Sequence, residues 1–261
     1  MVFPILTYHE IFNDSKTNKE KHAIHVNEFD RHMRYLVDNG FRSLNLSDIF
    51  SPDNGKDGSN TKPIAISFDD GNYSDYCHVF PILRKYNLVG NFFITTDWVA
   101  QNGFLSWDNL KEMKDSGMSI QSHSVSHRFL PNLSNSDLRK ELRNSKRTLE
   151  ERLNVHADLI SIPSGFVSKR VIEIGKNEGY KGMCTSVPGM NNLRNEKQYF
   201  LVLHRFTITR RTSFDTFKRI VDGDASLTRS LRARYQIKSA FRKAIGNRAY
   251  YKLWCLLSKE I

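Results

Sequence analysis

Two short stretches of the 261-residue chain place metal-binding and proton-transfer side chains where apolar runs end. Phe68-Asp69-Asp70-Gly71 directly follows Pro63-Ile64-Ala65-Ile66-Ser67. Two adjacent carboxylates each resist the other's ionisation. A cation on one removes that cost and leaves the second free as a base. Asp-Gly is equally an ordinary turn dipeptide. Ser122-His123-Ser124-Val125-Ser126-His127 follows a second strand-like run. Two imidazoles four residues apart converge on one cation if the loop curls like a helical turn; otherwise they are two hydrogen-bonded loop histidines. Together the stretches offer one carboxylate and two imidazoles, and three protein ligands with open positions describe a catalytic metal site. The same donor set suits non-haem Fe(II).

The elements that must position these groups alternate. Val2 to Tyr8 reads as a strand, followed by a helix with Phe29, Met33, Leu36 and Val37 on one face and Gly40 as its stop. Residues 51–62, rich in Gly, Asn, Asp and Ser, read as a mobile loop. Strands are expected at 64–68, 89–95, 118–122, 157–162, 180–185 and 199–208. Helices are expected around Tyr76–Leu83, from Ser106-Trp107, from the capping-box-like Ser134-Asn135-Ser136-Asp137, and over 168–178 and 213–222. Repeated strand–helix units imply an α/β fold with a parallel sheet, open or closed into a barrel. In such folds the chemistry sits at the carboxyl ends of strands, where both motifs fall.

With Leu6-Thr7-Tyr8-His9-Glu10, Gly103-Phe104-Leu105-Ser106-Trp107 and Ser116-Gly117-Met118 added, the sequence resembles the polysaccharide deacetylase family, the carbohydrate esterases with a NodB-type domain. The resemblance covers roughly residues 2–222. It implies a distorted (β/α)7-type barrel that hydrolyses an N-acetyl, less often an O-acetyl, group on a sugar. It further implies Asp69 as general base and Asp70, His123 and His127 as ligands of one divalent metal. Zinc is the first expectation, and cobalt, nickel, manganese or ferrous iron also suit the set. The family's Arg-x-Pro-Tyr motif is replaced here by Ser161-Ile162-Pro163-Ser164-Gly165, so the arginine that would tether the base is missing. The Ser164 N–H remains available as an oxyanion donor. In Leu201-Val202-Leu203-His204-Arg205-Phe206, His204 is the nearest match to the general-acid histidine, although one branch of the family carries a Leu-x-Arg-Ile-like strand without it. His9, just past the first strand, is a further candidate to face the substrate. Asp97-Trp98, Trp107-Asp108 and Cys184 read as packing or capping residues.

Charge is concentrated at one end. The chain carries 39 Lys+Arg and 28 Asp+Glu, a net +11. Residues 225–261 hold nine Lys/Arg and one acid, Glu260, which is +8 of that total. The expected division is therefore a catalytic domain over 1–224 and a basic amphipathic helical tail over 225–261. The tail reads either as a helix packed on the barrel or as a peripheral membrane-surface contact. No recognition fold accompanies the charge, so no nucleic-acid partner is expected. Three scattered cysteines argue against a disulfide framework, and neither a signal peptide nor an apolar run of spanning length is apparent; the expected location is cytoplasmic, at the inner membrane face if the tail binds lipid. The expected activity is deacetylation of an acetylated saccharide, a cell-surface polysaccharide or lipid-linked precursor. The alternatives are a saccharide-binding pseudoenzyme, favoured by Ser161 and Ser164, and an amidohydrolase acting on a non-saccharide amide.

Overall fold

The structure, a computed structural model, describes residues 1–13, 22–50, 61–193 and 200–246. The expected loop at 51–62 falls almost wholly outside these residues, as does the tail beyond 246, with its Tyr250, Leu253, Trp254 and Leu257.

Nine strand segments of the described residues form the main sheet: β1 (Ile5–Tyr8), β2 (Phe41–Ser43), β3 (Lys62–Asp70), β4 (Gly90–Ile94), β5 (Ser119–Ser122), β6 (Leu159–Ser161), β7 (Gly182–Cys184), β8 (Leu201–Leu203) and β9 (Phe206–Thr207). Their order is β8-β7-β6-β5-β4-β3-β1-β9, with β2 beside the start of β3. Every pairing is parallel. β8 and β9 stand at opposite ends of that order, yet only His204 and Arg205 separate them in sequence. The sheet therefore curls until its two ends meet, giving the expected distorted α/β barrel.

Two expected strands are split. Val2–Tyr8 breaks at Pro4, which has no N–H to give a ladder. Its first part, Val2–Phe3, pairs antiparallel with Asn191–Asn192 outside the barrel. The expected 199–208 strand breaks at the barrel seam, where the chain leaves β7 as its neighbour and joins β1.

Among the described residues, seven α-helices connect or cover the strands: α1 (Val26–Asp38), α2 (Phe80–Lys85), α3 (Trp107–Asp115), α4 (Asn135–Leu153), α5 (Lys169–Asn177), α6 (Phe214–Val221) and α7 (Ala225–Ile245). Their starts were readable because short polar residues cap them. Ser106, Ser134, Ser168, Ser213 and Asp224 each accept a first-turn backbone N–H that would otherwise lack a partner. Apolar strand residues and the inner helix faces make the core. Tyr8, Phe68 and Phe92 stack across β1, β3 and β4 with ring centroids 5.7 and 4.8 Å apart. Burying a side chain of this size is worth about 1.5–3 kcal/mol. α7 joins the body through Leu227 and Leu231, which pack against the same core.

Candidate metal centre and active-site cleft

β3 delivers both carboxylates to one place by breaking its own alternation. Successive strand side chains point to opposite faces. Asp69 keeps the strand conformation and is buried, with 3% exposure. Asp70 has φ +82°, which ends the strand and swings its carboxylate towards the same cleft. β5 ends beside it, its ladder extended by the His123 N–H donating to the Ile94 carbonyl at 2.8 Å. Ser124 (φ +68°) and His127 (φ +56°) then curl the loop so that both imidazoles face Asp70. Seven described non-glycine residues have positive φ, and four of them (Asp70, Ser124, His127, Ser164) belong to this cleft or its loops. Such backbone costs about 1–3 kcal/mol per residue and persists only where surrounding contacts enforce it.

Those contacts are visible. Glu141, buried on α4, accepts the Val125 and Ser126 N–H groups at 3.0 and 2.9 Å and the Ser126 hydroxyl. Ser122 Oγ accepts the Ser124 N–H, and Ser124 Oγ accepts the His127 N–H. Trp98, expected as packing, stacks at 5.0 Å from the His127 ring. Sequence reasoning missed Glu141. Its signal was an acid three residues after Leu138 and one before Leu142, on the apolar face of α4.

Three donor atoms converge on the open side. His123 Nε2 and His127 Nε2 lie 3.3 and 3.4 Å from Asp70 Oδ1. The three lie within 4.8 Å of one another, a grouping that could hold a metal ion. Tetrahedral ligands at zinc bond lengths of about 2.0–2.1 Å stand about 3.3 Å apart, so the two distances from Asp70 fit. Asp70 Oδ1 is buried without a hydrogen-bond partner among the described residues, a cost that a cation would remove. His123 Nδ1 is 2.8 Å from the Ser161 carbonyl, which can only accept, so Nδ1 carries the proton and Nε2 presents its lone pair to the cleft. Burial and the neighbouring His123 charge lower the His127 pKa to about 4, leaving its imidazole neutral and fit to ligate at neutral pH.

The closed side belongs to Asp69. Arg205, buried at the barrel seam, reaches it bidentately: Nη1 to Oδ1 and Nη2 to Oδ2, both at 2.8 Å. Ser161 Oγ donates to Oδ2 at 2.9 Å and accepts from Arg205 Nη2 at 2.8 Å. Arg205 Nε donates to the Thr185 carbonyl at 3.1 Å. Burial opposes the Asp69 charge, but Arg205 and His123 outweigh it and hold the carboxyl well below the ordinary carboxylate range. The expectation that the base lacks an arginine tether is therefore corrected. The arginine comes from the seam rather than from the 161–165 loop, and the small Ser161 leaves it room.

The same seam corrects a second expectation. His204 does not reach the cleft. Leu203 and Arg205 are buried, whereas His204 is half-buried beside Gly189 and the Arg232 guanidinium of α7 and does not line the cavity of the cleft. Its backbone is held by the Asn191 side chain, which takes the His204 N–H at 2.8 Å.

The remaining candidates are brought in. A cavity of about 430 Å³ is lined by Asp69, Asp70, His123 and His127, together with His9, His22, Ser164, Tyr235 and Lys238. The His9 ring lies 5.0 Å from that of His22, and its Nδ1 is buried without a partner among the described residues. Ser164 (φ +62°) and Gly165 (φ +70°) form a left-handed pair, and a Cβ on Gly165 would fall 1.9 Å from Ser186 Oγ. No protein group among the described residues accepts the Ser164 N–H. Asp75 is fully buried, and neither of its oxygens has a hydrogen-bond partner among the described residues; burial and the charges of Asp70, Asp69 and Glu10 raise its pKa well above the ordinary value.

Known proteins share this architecture. The family profile described as Polysaccharide deacetylase matches residues 56–183, which include Asp69, Asp70, His123 and His127. YxkH of Bacillus subtilis is 27% identical over 84% of this chain and 76% of its own length. The peptidoglycan-N-acetylglucosamine deacetylase of Bacillus cereus is 31% identical over 49% of this chain and 58% of its own. The Streptococcus pyogenes deacetylase PplD, solved in complex with acetate, superposes with a TM-score of 0.75 at 26% identity, covering 85% of this chain and 98% of that one. Profile, relatives and fold agree with the motifs at the ends of β3 and β5, and the chain belongs to the polysaccharide deacetylase family.

Proposed function

We propose that this chain removes the N-acetyl group from an amino sugar of a cell-surface polysaccharide or its precursor, using one divalent ion, first of all zinc, held by Asp70, His123 and His127. The observation that carries the reading is the contrast on β3: one carboxylate faces two neutral-capable imidazole nitrogens, and its neighbour is fixed, ionised, against Arg205. A bound divalent ion supplies Lewis-acid polarisation of the acyl carbonyl and lowers the pKa of water. Asp69 takes the proton of the attacking water on Oδ1, which keeps a lone pair after pairing with Arg205, whereas Oδ2 also accepts the Ser161 hydroxyl. The Ser164 N–H donates to the oxyanion of the tetrahedral carbon. His9, one of two cleft imidazoles outside the ligand set with its neighbour His22, gives the leaving amine its proton. The products are acetate and a free amino sugar.

Support for a binding protein without catalysis came from Ser161 and Ser164. Ser161 has another explanation here, as the hydroxyl that orders Asp69 with Arg205. The test is an acetate-release assay on N-acetylglucosamine oligomers with the zinc-loaded protein. Turnover that a chelator abolishes and zinc restores is expected. Stoichiometric zinc with oligomer binding but no acetate would favour the binding protein.

A second proposal concerns placement: the chain works against an anionic membrane face through α7. Its support is the stripe of Ile237, Phe241 and Ile245, exposed at four-residue spacing on a helix rich in Lys and Arg. Among the described residues no helix is long and apolar enough to cross a membrane. Co-sedimentation with anionic vesicles, lost when Ile237 and Phe241 become Ser, tests this contact.

A further inference from the structure

α7 lies outside the stretch that resembles the family, and it does more than pack. Its inner stripe changes character along its length. Leu227 and Leu231 lie on the core. About one, two and three turns further, at the spacing that keeps one face, come Tyr235, Lys238 and Arg242. A helix held only by packing would continue this stripe with apolar residues. Instead Tyr235 and Lys238 line the cavity that contains Asp69, Asp70, His123 and His127.

α7 is also fixed to the loop that carries Ser164. The Tyr235 ring stacks on Phe166 at 5.9 Å, and the Arg242 guanidinium sits 3.7 Å over the Phe166 ring. Phe129 meets the other edge of Phe166, which gives an aromatic rim above the cleft. At the other end, the Arg232 guanidinium of α7 lies beside Gly189, 2.9 Å from where a Cβ on that residue would stand. The wall is thus built onto the body at two places.

Its charge has one sign. α7 contains Arg229, Arg232, Arg234, Lys238, Arg242 and Lys243 and no acid. Lys238 makes no ion pair or hydrogen bond with any described residue. Its surroundings desolvate the ammonium and lower its pKa from the ordinary lysine value. A cation left without a protein counter-charge at a substrate cleft has an anion as its natural complement.

Resting on the deacetylase reading, we propose that α7 is a specificity wall that selects acetylated saccharides carrying an anionic substituent, a carboxylate or a phosphate, whose charge is met by Lys238 while the sugar ring lies against the Tyr235–Phe166 rim. The test compares three probes: a neutral N-acetylglucosamine oligomer, an oligomer of similar length with N-acetylmuramic acid carboxylates, and one bearing 6-phosphate groups. The zinc-loaded protein should favour at least one anionic probe in kcat/KM, through KM. The identity of that probe distinguishes carboxylate from phosphate. Lys238→Gln should reduce the anionic-to-neutral ratio about threefold to fivefold, the scale of one accessible charge pair. Lys238→Arg should restore it, and Lys243→Gln, which removes an exposed cation outside the cavity lining, should leave the ratio as it is. No anionic preference, or a ratio that Lys238→Gln does not change, overturns the wall as a selector. An equal loss in Lys243→Gln also overturns it, because net charge would then explain the effect. If no probe is turned over, the deacetylase reading fails by itself. Calorimetric binding of the same probes then decides the inference: tighter anionic binding lost in Lys238→Gln supports it, and equal binding refutes it.

Discussion

The two flanks of the cleft floor treat adjacent carboxylates in opposite ways. On the flank facing β6 and the seam, Asp69 is closed in, with both oxygens paired to Arg205 and one also to Ser161. On the flank facing the 123–127 loop, Asp70 is open, its Oδ1 partnerless and flanked by two imidazole nitrogens. Identical side chains one residue apart thereby acquire different chemistry. The closed flank fixes charge and direction; the open flank gathers three donor atoms fit for a cation. The dipeptide does not encode that division. A left-handed Asp70 and an arginine 136 residues away impose it.

Substitutions can break the comparison at either flank. The largest effect is expected from Asp69→Asn, which should reduce acetate release by about 10²–10⁴-fold, the usual contribution of a positioned general base. Asn keeps one acceptor for Arg205, so circular dichroism should show a folded though less stable protein. Next comes Arg205→Met, which leaves Asp69 as a buried uncompensated charge and should cost about 3–5 kcal/mol in urea unfolding at pH 7. The sign with pH follows from the lowered Asp69 pKa. Its stabilisation is present above the ordinary carboxylate value and is lost as pH falls through the folded one, so parent and variant should converge in acid. Arg205→Lys should recover part of the loss but not the bidentate geometry.

On the open flank, Glu141→Gln weakens the clamp on the histidine loop without touching a ligand. Zinc affinity should fall about 10–100-fold in a competitive chelator titration, as is usual for groups that orient ligands. The smallest effect is a pH slope in the metal-free protein. The His127 pKa is lowered from 6.5 to about 4, first by burial and then by the charge of His123. A base with a depressed folded pKa contributes stability above its unfolded value and loses it as pH falls towards the folded one. His127→Asn should therefore flatten the decline in melting temperature between about pH 6.5 and pH 4, whereas Asp69→Asn should leave that part of the slope in place.

The open flank was the legible one. Asp70, His123 and His127 lie within short motifs at strand ends, and local spacing is what a sequence displays. The α/β alternation and the serine caps were legible for the same reason. The closed flank was not, because Arg205 meets Asp69 only once the sheet has curled shut. Leu201-Val202-Leu203 is apolar on both faces of the strand, so the sequence does not tell whether His204 or Arg205 points inward. The Leu-x-Arg-Ile-like form of that strand was the available signal. The missing arginine near Ser161 was real in sequence and compensated in space. α7 was legible as an amphipathic basic helix, but the surface it covers depends on contacts with Phe166 and Gly189 that no local pattern reveals.

The division between the two carboxylates is tested most directly by zinc stoichiometry, measured by mass spectrometry of the metal on Asp69→Asn and Asp70→Asn after identical dialysis. Asp69→Asn should retain close to the parent's zinc and Asp70→Asn should lose most of it. The reverse pattern, or equal retention by both, would contradict the assignment of the open flank as the metal site.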